Sequence, residues 1–139
     1  MGRYDGPHFE VEHEDVVSVW VATSPFDAIP EDYFLERYDE EDDQPFNRFS
    51  NDFGFGFYDH DFTEAHSSDD GQPIPIQGLI EPCSYGKSFA VLVAVAASSL
   101  GIKESSSVFL MFNFKYDSAV TGVRESPFFK FIGVFPFEQ

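Results

Sequence analysis

Hydrophobic and polar positions alternate between dense apolar runs and strongly acidic stretches, and the runs define the expected elements. Residues 16–23 read VVSVWVAT, a β-branched segment around Trp20, which predicts a well-buried strand with Trp20 in the core. Pro30 presets φ for a first helical turn, Glu31 and Asp32 suit the positive end of a helix dipole, and Phe34 and Tyr38 lie one turn apart; a short helix is expected through about Tyr38. Pro45 can open a second helix, with Phe46, Phe49 and Phe53 at helical spacing, Asn47, Arg48 and Asn51 on other faces, and Gly54 available to end it. Residues 55–62 offer a short strand weakened by glycines and paired aspartates, and the polar, proline-bearing stretch 66–75 predicts a loop. Ser84 is the expected cap of a long apolar helix over residues 85–100, closed by Gly101. With Phe89, Leu92, Val93, Val95 and Ala96 spread round it, that helix calls for sheet on one side and more protein on another. Residues 108–116 and 128–137 predict two strands, joined by 117–127 and expected to pair as an antiparallel hairpin.

These elements amount to one α+β domain over residues 16–139, with an antiparallel or mixed sheet of about four strands packed against helices. Residues 1–15 carry five acids and lack apolar periodicity, so they predict a flexible acidic arm. A length of 139 residues suits one core, and 18 phenylalanines make it a phenylalanine-rich one. Phe128, Phe129, Phe131, Phe135 and Phe137 populate both faces of one strand; either both faces are internal or some rings form a partner or homodimer surface.

Charge adds an asymmetry that the apolar pattern does not show. Residues 1–70 hold 20 Asp and Glu against 3 Lys and Arg, a net of 3 − 20 = −17, while residues 71–139 hold five of each sign. Five carboxylates in a row, Asp39, Glu40, Glu41, Asp42 and Asp43, favour an exposed loop because their repulsion opposes a helix. The asymmetry points to a docking surface, and it disfavours nucleic acid as a ligand because the phosphate backbone would be repelled. The apolar stretch after Phe89 is interrupted by Ser98 and Ser99, short of the ~20 residues a bilayer span requires. No membrane association is expected, and an acidic start in place of a secretory signal predicts a cytoplasmic protein. Cys83 is the single cysteine, which rules out an intrachain disulfide and cysteine-cluster metal sites.

Ligand chemistry is concentrated in Asp59, His60, Asp61, Glu64 and His66, residue types that hold divalent metals or transfer protons. The spacing matches no standard zinc pattern, and on a strand Asp59 and Asp61 would share a face from which His60 points away. Their reading is interface or hydrogen bonding, with a metal-dependent hydrolase using Asp59, Asp61, Glu64 and His66 as the alternative. Cys83 and Ser84 have no histidine after His66 to activate them. No phosphate-binding loop occurs, and no cofactor is expected.

Five stretches, VSVW at 17–20, YDHDFTEA at 58–65, CSYGKSF at 83–89, FNFKY at 112–116 and FIGVFPF at 131–137, resemble the immunity protein 22 family of bacterial polymorphic toxin systems. The resemblance spans the chain from Val16 onward. It implies a small α+β protein that neutralises a toxin made by the same cell, many such toxins being nucleases, and it implies binding without turnover. A nuclease exposes Lys and Arg to attract phosphate, which carboxylates mimic. The expected contacts are Glu36, Asp39, Glu40, Glu41, Asp42, Asp43, Asp59, Asp61 and Glu64. A structural homo-oligomer joined through strand edges or phenylalanines is the third class to weigh.

Overall fold

The computed structural model describes residues 6–38 and 45–139. Among these residues the strands are β1 (Val16–Ala22), β2 (Thr63–Ser67), β3 (Ile74–Pro75), β4 (Glu104–Ser105), β5 (Ser107–Phe112) and β6 (Phe129–Pro136). The α-helices are α1 (Arg48–Asp52), α2 (Ile76–Ile80), α3 (Gly86–Ser99) and α4 (Ser118–Thr121). Four strands form one antiparallel sheet in the order β2-β5-β1-β6, and β3 pairs with β4 in a second, two-stranded sheet. This is the expected α+β architecture, with the β-branched strand β1 at its centre.

Period-two alternation in β1 and β5 feeds two separate cores. Val17, Val19 and Val21, with Val108 and Leu110, face α2 and α3, where Ile76, Leu79, Ile80, Phe89, Ala90, Val93 and Ala97 cover them. On the other face Trp20, Phe109 and Met111 meet an aromatic layer built from Phe9, Tyr33, Phe46, Phe49, Phe53, Phe55, Tyr58, Phe114 and Tyr116. Trp20 is fully buried, with ring centroids of Phe49, Phe131 and Tyr116 5.1, 5.2 and 5.4 Å away. Ser18 is the polar position on this face: its hydroxyl donates to the Phe114 carbonyl and accepts from the Tyr116 N–H, which fixes the chain after β5 under the aromatic layer.

Strand β6 serves both cores. A bulge between Val19 and Trp20 lets Val19 oppose Gly133 and Trp20 oppose Phe131, so Ile132 is the extra residue. Parity therefore flips along β6: Phe129 and Phe131 enter the aromatic core, while Ile132 and Phe137 are buried, and Phe135 packs, on the helical side. Both faces of the phenylalanine-rich strand are internal.

Several local expectations yield to tertiary contacts. Residues 108–116 and 128–137 do contain strands, but β5 and β6 do not form a hairpin, because β1 lies between them and pairs with both. No helix forms over residues 30–38; a turn at 31–34 sends both Tyr33 and Phe34 into the aromatic core, and the chain then runs extended, with the Arg37 N–H donating to the Phe46 carbonyl. Helix α1 starts later than Pro45, and Asn47, read as a position within the helix, is its buried cap, accepting from the Ser50 N–H at 2.8 Å. Residues 55–62 hold no strand but a single 3₁₀ turn at His60–Phe62, and β2 follows within what was read partly as loop. Ser84 does not cap α3; Tyr85 does, in the left-handed conformation. The long helix is covered by the sheet and by α2, while Val91, Leu92 and Val95 lie exposed on its outer face. Of the N-terminal segment, Phe9 is buried in the aromatic core, and its carbonyl accepts from the Lys115 N–H. The run Asp39 to Asp43 lies outside the described residues.

Candidate functional site

The turn that buries Tyr33 and packs Phe34 against the aromatic core delivers the next residues to the surface. Leu35 and Tyr38 are each 64% exposed, and Glu36 lies between them. One Glu36 carboxylate oxygen accepts from the Tyr38 hydroxyl at 2.7 Å, and the other pairs with His60 Nδ1 at 2.8 Å. His60 sits in the 3₁₀ turn, which Asp59 caps by accepting the Asp61 N–H. Phe62, at the end of that turn, is half-exposed. Glu36, Asp59 and Asp61, three of the expected contacts, are thus gathered round Tyr38 and His60, with exposed Leu35 and Phe62 beside them in the chain.

Electrostatics confirm the grouping. The hydrogen bond to Glu36 pushes the Tyr38 phenol up to about 12, with smaller contributions from burial and from the charges of Glu36, Asp59 and Asp61. His60 is raised above its ordinary value, first by its hydrogen bond to Glu36, then by that residue's charge and by Asp61 and Asp59. A proton on His60 offsets part of the negative charge at Glu36.

Glu64 is placed elsewhere. It lies one strand position away from the aromatic face of β2, and its carboxylate accepts from the Ser84 N–H at 3.0 Å, tying β2 to the turn before α3. The cluster from Asp59 to His66 is therefore split between the 3₁₀ turn and the strand, and among the described residues no group of three His, Cys, Asp or Glu is placed to hold a metal ion. Cys83 is buried, donates weakly to the Leu79 carbonyl, and has its thiol pushed up to about 12 by burial first and Glu64 second. A thiol held protonated in this way is a packing group. No helix among the described residues is long and apolar enough to cross a membrane.

Sequence reasoning named Glu36, Asp59 and Asp61 as contacts and His60 as part of the ligand-chemistry cluster, but did not single out Tyr38 and Phe62. The available signal was an aromatic beside a carboxylate at each place, Glu36 with Tyr38 and Asp61 with Phe62. The phenylalanines of β6, weighed as a homodimer surface, are turned inward, and the apolar side chains left exposed on α3 are aliphatic.

The fold is that of a small acidic α+β domain. The family described as Immunity protein 22 matches residues 17–138, and the chain belongs to that family. No curated protein matches the chain, and no solved structure does.

Proposed function

We propose that this chain is an immunity protein that binds and neutralises a cognate toxin in the cytoplasm, without turnover, through the acidic and aromatic surface centred on Glu36. The observation that carries the proposal is the Glu36 carboxylate held between Tyr38 and His60, with Asp59 and Asp61 close enough to act on both partners. Charge of one sign speeds encounter with a cationic protein, and exposed aromatics supply the desolvated anchors that charge alone does not. Asp39, Glu40, Glu41, Asp42 and Asp43 follow Tyr38 directly in the chain and extend the same negative field. A nuclease fits this surface, because its substrate-binding face must be cationic and carboxylates occupy the place of phosphates.

The test is stopped-flow association with the toxin encoded in the neighbouring reading frame. Replacing Glu36, Asp59 and Asp61 together by Gln and Asn lowers the association rate by about tenfold at low salt and flattens its salt dependence. Tyr38→Ala and Phe62→Ala each raise the dissociation rate by roughly tenfold or more. Association and dissociation rates both unchanged at low ionic strength would remove this surface from the complex.

A further inference from the structure

The four-stranded sheet ends in β2 on one side and β6 on the other, and the two edges differ. At β6 the outward backbone is occupied from within the chain. The Ser126 N–H donates to the Phe129 carbonyl, the Phe131 N–H to the Arg124 carbonyl, and the Arg124 guanidinium to the Ile132 carbonyl. Pro136, at the end of β6, has no N–H to offer.

The register shows what β2 presents. The Asn113 N–H donates to the Val16 carbonyl, and the Ser68 N–H to the Ser106 carbonyl. In an antiparallel ladder the hydrogen-bonded pairs recur at every second residue, so odd-numbered residues of β5 bond to β1 and even-numbered ones to β2. Glu64, His66 and Ser68 therefore turn their backbone toward β5, whereas Ala65 and Ser67 turn theirs outward. Thr63 donates its N–H to the His60 carbonyl and leaves its own carbonyl on the outer side. Among the described residues no other segment hydrogen-bonds to the N–H or C=O of Ala65 or Ser67, and Ala65 is exposed.

A row of unpaired backbone groups is a template for another strand, and proteins commonly guard it with a lysine, a proline or a bulge. Strand β2 reads TEAHS and pairs with β5 without a register shift, so it has none of these. Charge selects what can pair with it. Asp59, Asp61, Glu64, Asp69 and Asp70 lie in the strand or just beyond its ends, and residues 59–70 contain no Lys or Arg. A second copy set edge to edge would bring these carboxylates against their own kind, whereas a strand bearing Lys or Arg would meet complementary charge along its length.

We propose that β2 is a docking edge that accepts an extended, cationic segment of the protein partner as a fifth strand of the sheet. The proposal rests on the toxin-binding reading for the partner's identity and deepens it, because β2 continues directly from the His60–Phe62 turn. The Glu36 surface then lies at one end of the added strand, and Asp69 and Asp70 at the other. Main-chain bonds to Ala65 and Ser67 supply affinity, and the flanking carboxylates supply the preference for a cationic strand.

The test is amide hydrogen exchange read by NMR, in the free chain and in its complex with the toxin encoded in the neighbouring reading frame. In the free chain Ala65 and Ser67 are expected to exchange fast and Glu64, His66 and Ser68 slowly; in the complex Ala65 and Ser67 should slow by about a hundredfold or more. Ala65→Pro deletes an outward N–H without removing a bond to β5, and should raise the toxin dissociation rate about tenfold while Glu64, His66 and Ser68 stay protected. A peptide probe, acetyl-Lys-Val-Lys-Val-Lys-Val-Lys-amide, should give saturable shifts at the Ala65 and Ser67 amides, and its counterpart with Glu in place of Lys none. A toxin complex in which Ala65 and Ser67 exchange as in the free chain would overturn strand addition and leave the Glu36 surface standing. Failure of the toxin to bind, with the cationic peptide still shifting Ala65 and Ser67, would strike the toxin reading and keep the edge. Equal response to both peptides, or protection that sedimentation traces to a second copy, would overturn the assignment of a cationic strand.

Discussion

Gly86, the first residue of α3, sets intrinsic helix propensity against packing. On propensity alone Gly86→Ala should stabilise the helix by about 1 kcal/mol. In the fold, however, an added Cβ would stand 2.0 Å from the Ile80 carbonyl oxygen and 3.0 Å from that of Glu81. Carbon and oxygen cannot approach to that distance, and the obstacle is backbone at the end of α2, not a side chain free to rotate. Relief requires α2 and α3 to separate by about 1 Å where Ile80 and Phe89 are buried. Overpacking of a well-filled core costs about 1–3 kcal/mol, and more when backbone must move. A net loss of about 3 kcal/mol is therefore expected, and a melting temperature lowered by roughly 10 °C. The control is Gly101→Ala, where φ is +83° but nothing lies within 4 Å of the new methyl; it carries only the left-handed strain of about 1–2 kcal/mol. Urea denaturation followed by circular dichroism measures both variants. A Gly86→Ala protein as stable as the parent, or less perturbed than Gly101→Ala, would refute the steric argument.

Asn47→Ala removes the α1 cap and leaves the buried Tyr58 hydroxyl without the Asn47 amide that donates to it at 2.6 Å; a loss of about 2–4 kcal/mol is expected by urea denaturation, with Asn47→Asp intermediate because it keeps the cap acceptor but loses the amide donor to Tyr58. Glu36→Gln should bring the Tyr38 phenol down from about 12 and lower His60 toward its ordinary value, both measured by NMR titration. Because the folded value of His60 is raised, its attraction to Glu36 is fully present below the unfolded value and is lost as pH rises through the folded one. The Cys83 thiol, pushed up to about 12, should react with a thiol reagent at pH 8 roughly a hundredfold or more slowly in the native protein than in urea. Its contribution to stability is intact below the unfolded thiol value and declines as pH rises above it.

The sequence carried the parts of this fold that depend on local chemistry. Strand β1 was legible because its valines and Trp20 suit burial in a strand, and α3 because its apolar run is long and ends at a glycine with positive φ. Pairing was not legible: a hairpin is the local default for two neighbouring strands, and nothing near β5 or β6 announces that β1 inserts between them. Residues 30–38 have helical credentials, but the chain makes a single turn at 31–34 and then runs extended, because the contacts of Tyr33 and Phe34 with the aromatic core override the local preference. Strand β2 was hidden because TEAHS contains no large apolar residue, as an edge strand can tolerate. The acids of the candidate surface could be named in advance, whereas the meeting of Glu36 with His60, 24 positions away, exists only in three dimensions.

The placement of β1 also governs timing. Val16 pairs with Pro136 and Val17 with Phe112, so both flanks of the central strand arrive from distant parts of the chain. Such topologies fold slowly, because long loops must close before any pairing rewards them. During synthesis Trp20 emerges long before Phe131 can cover it, and a ribosome halted short of β6 leaves one flank of β1 open. The four-stranded sheet can therefore close only after translation has passed its sixth strand, which makes late chain closure the step that completes the fold.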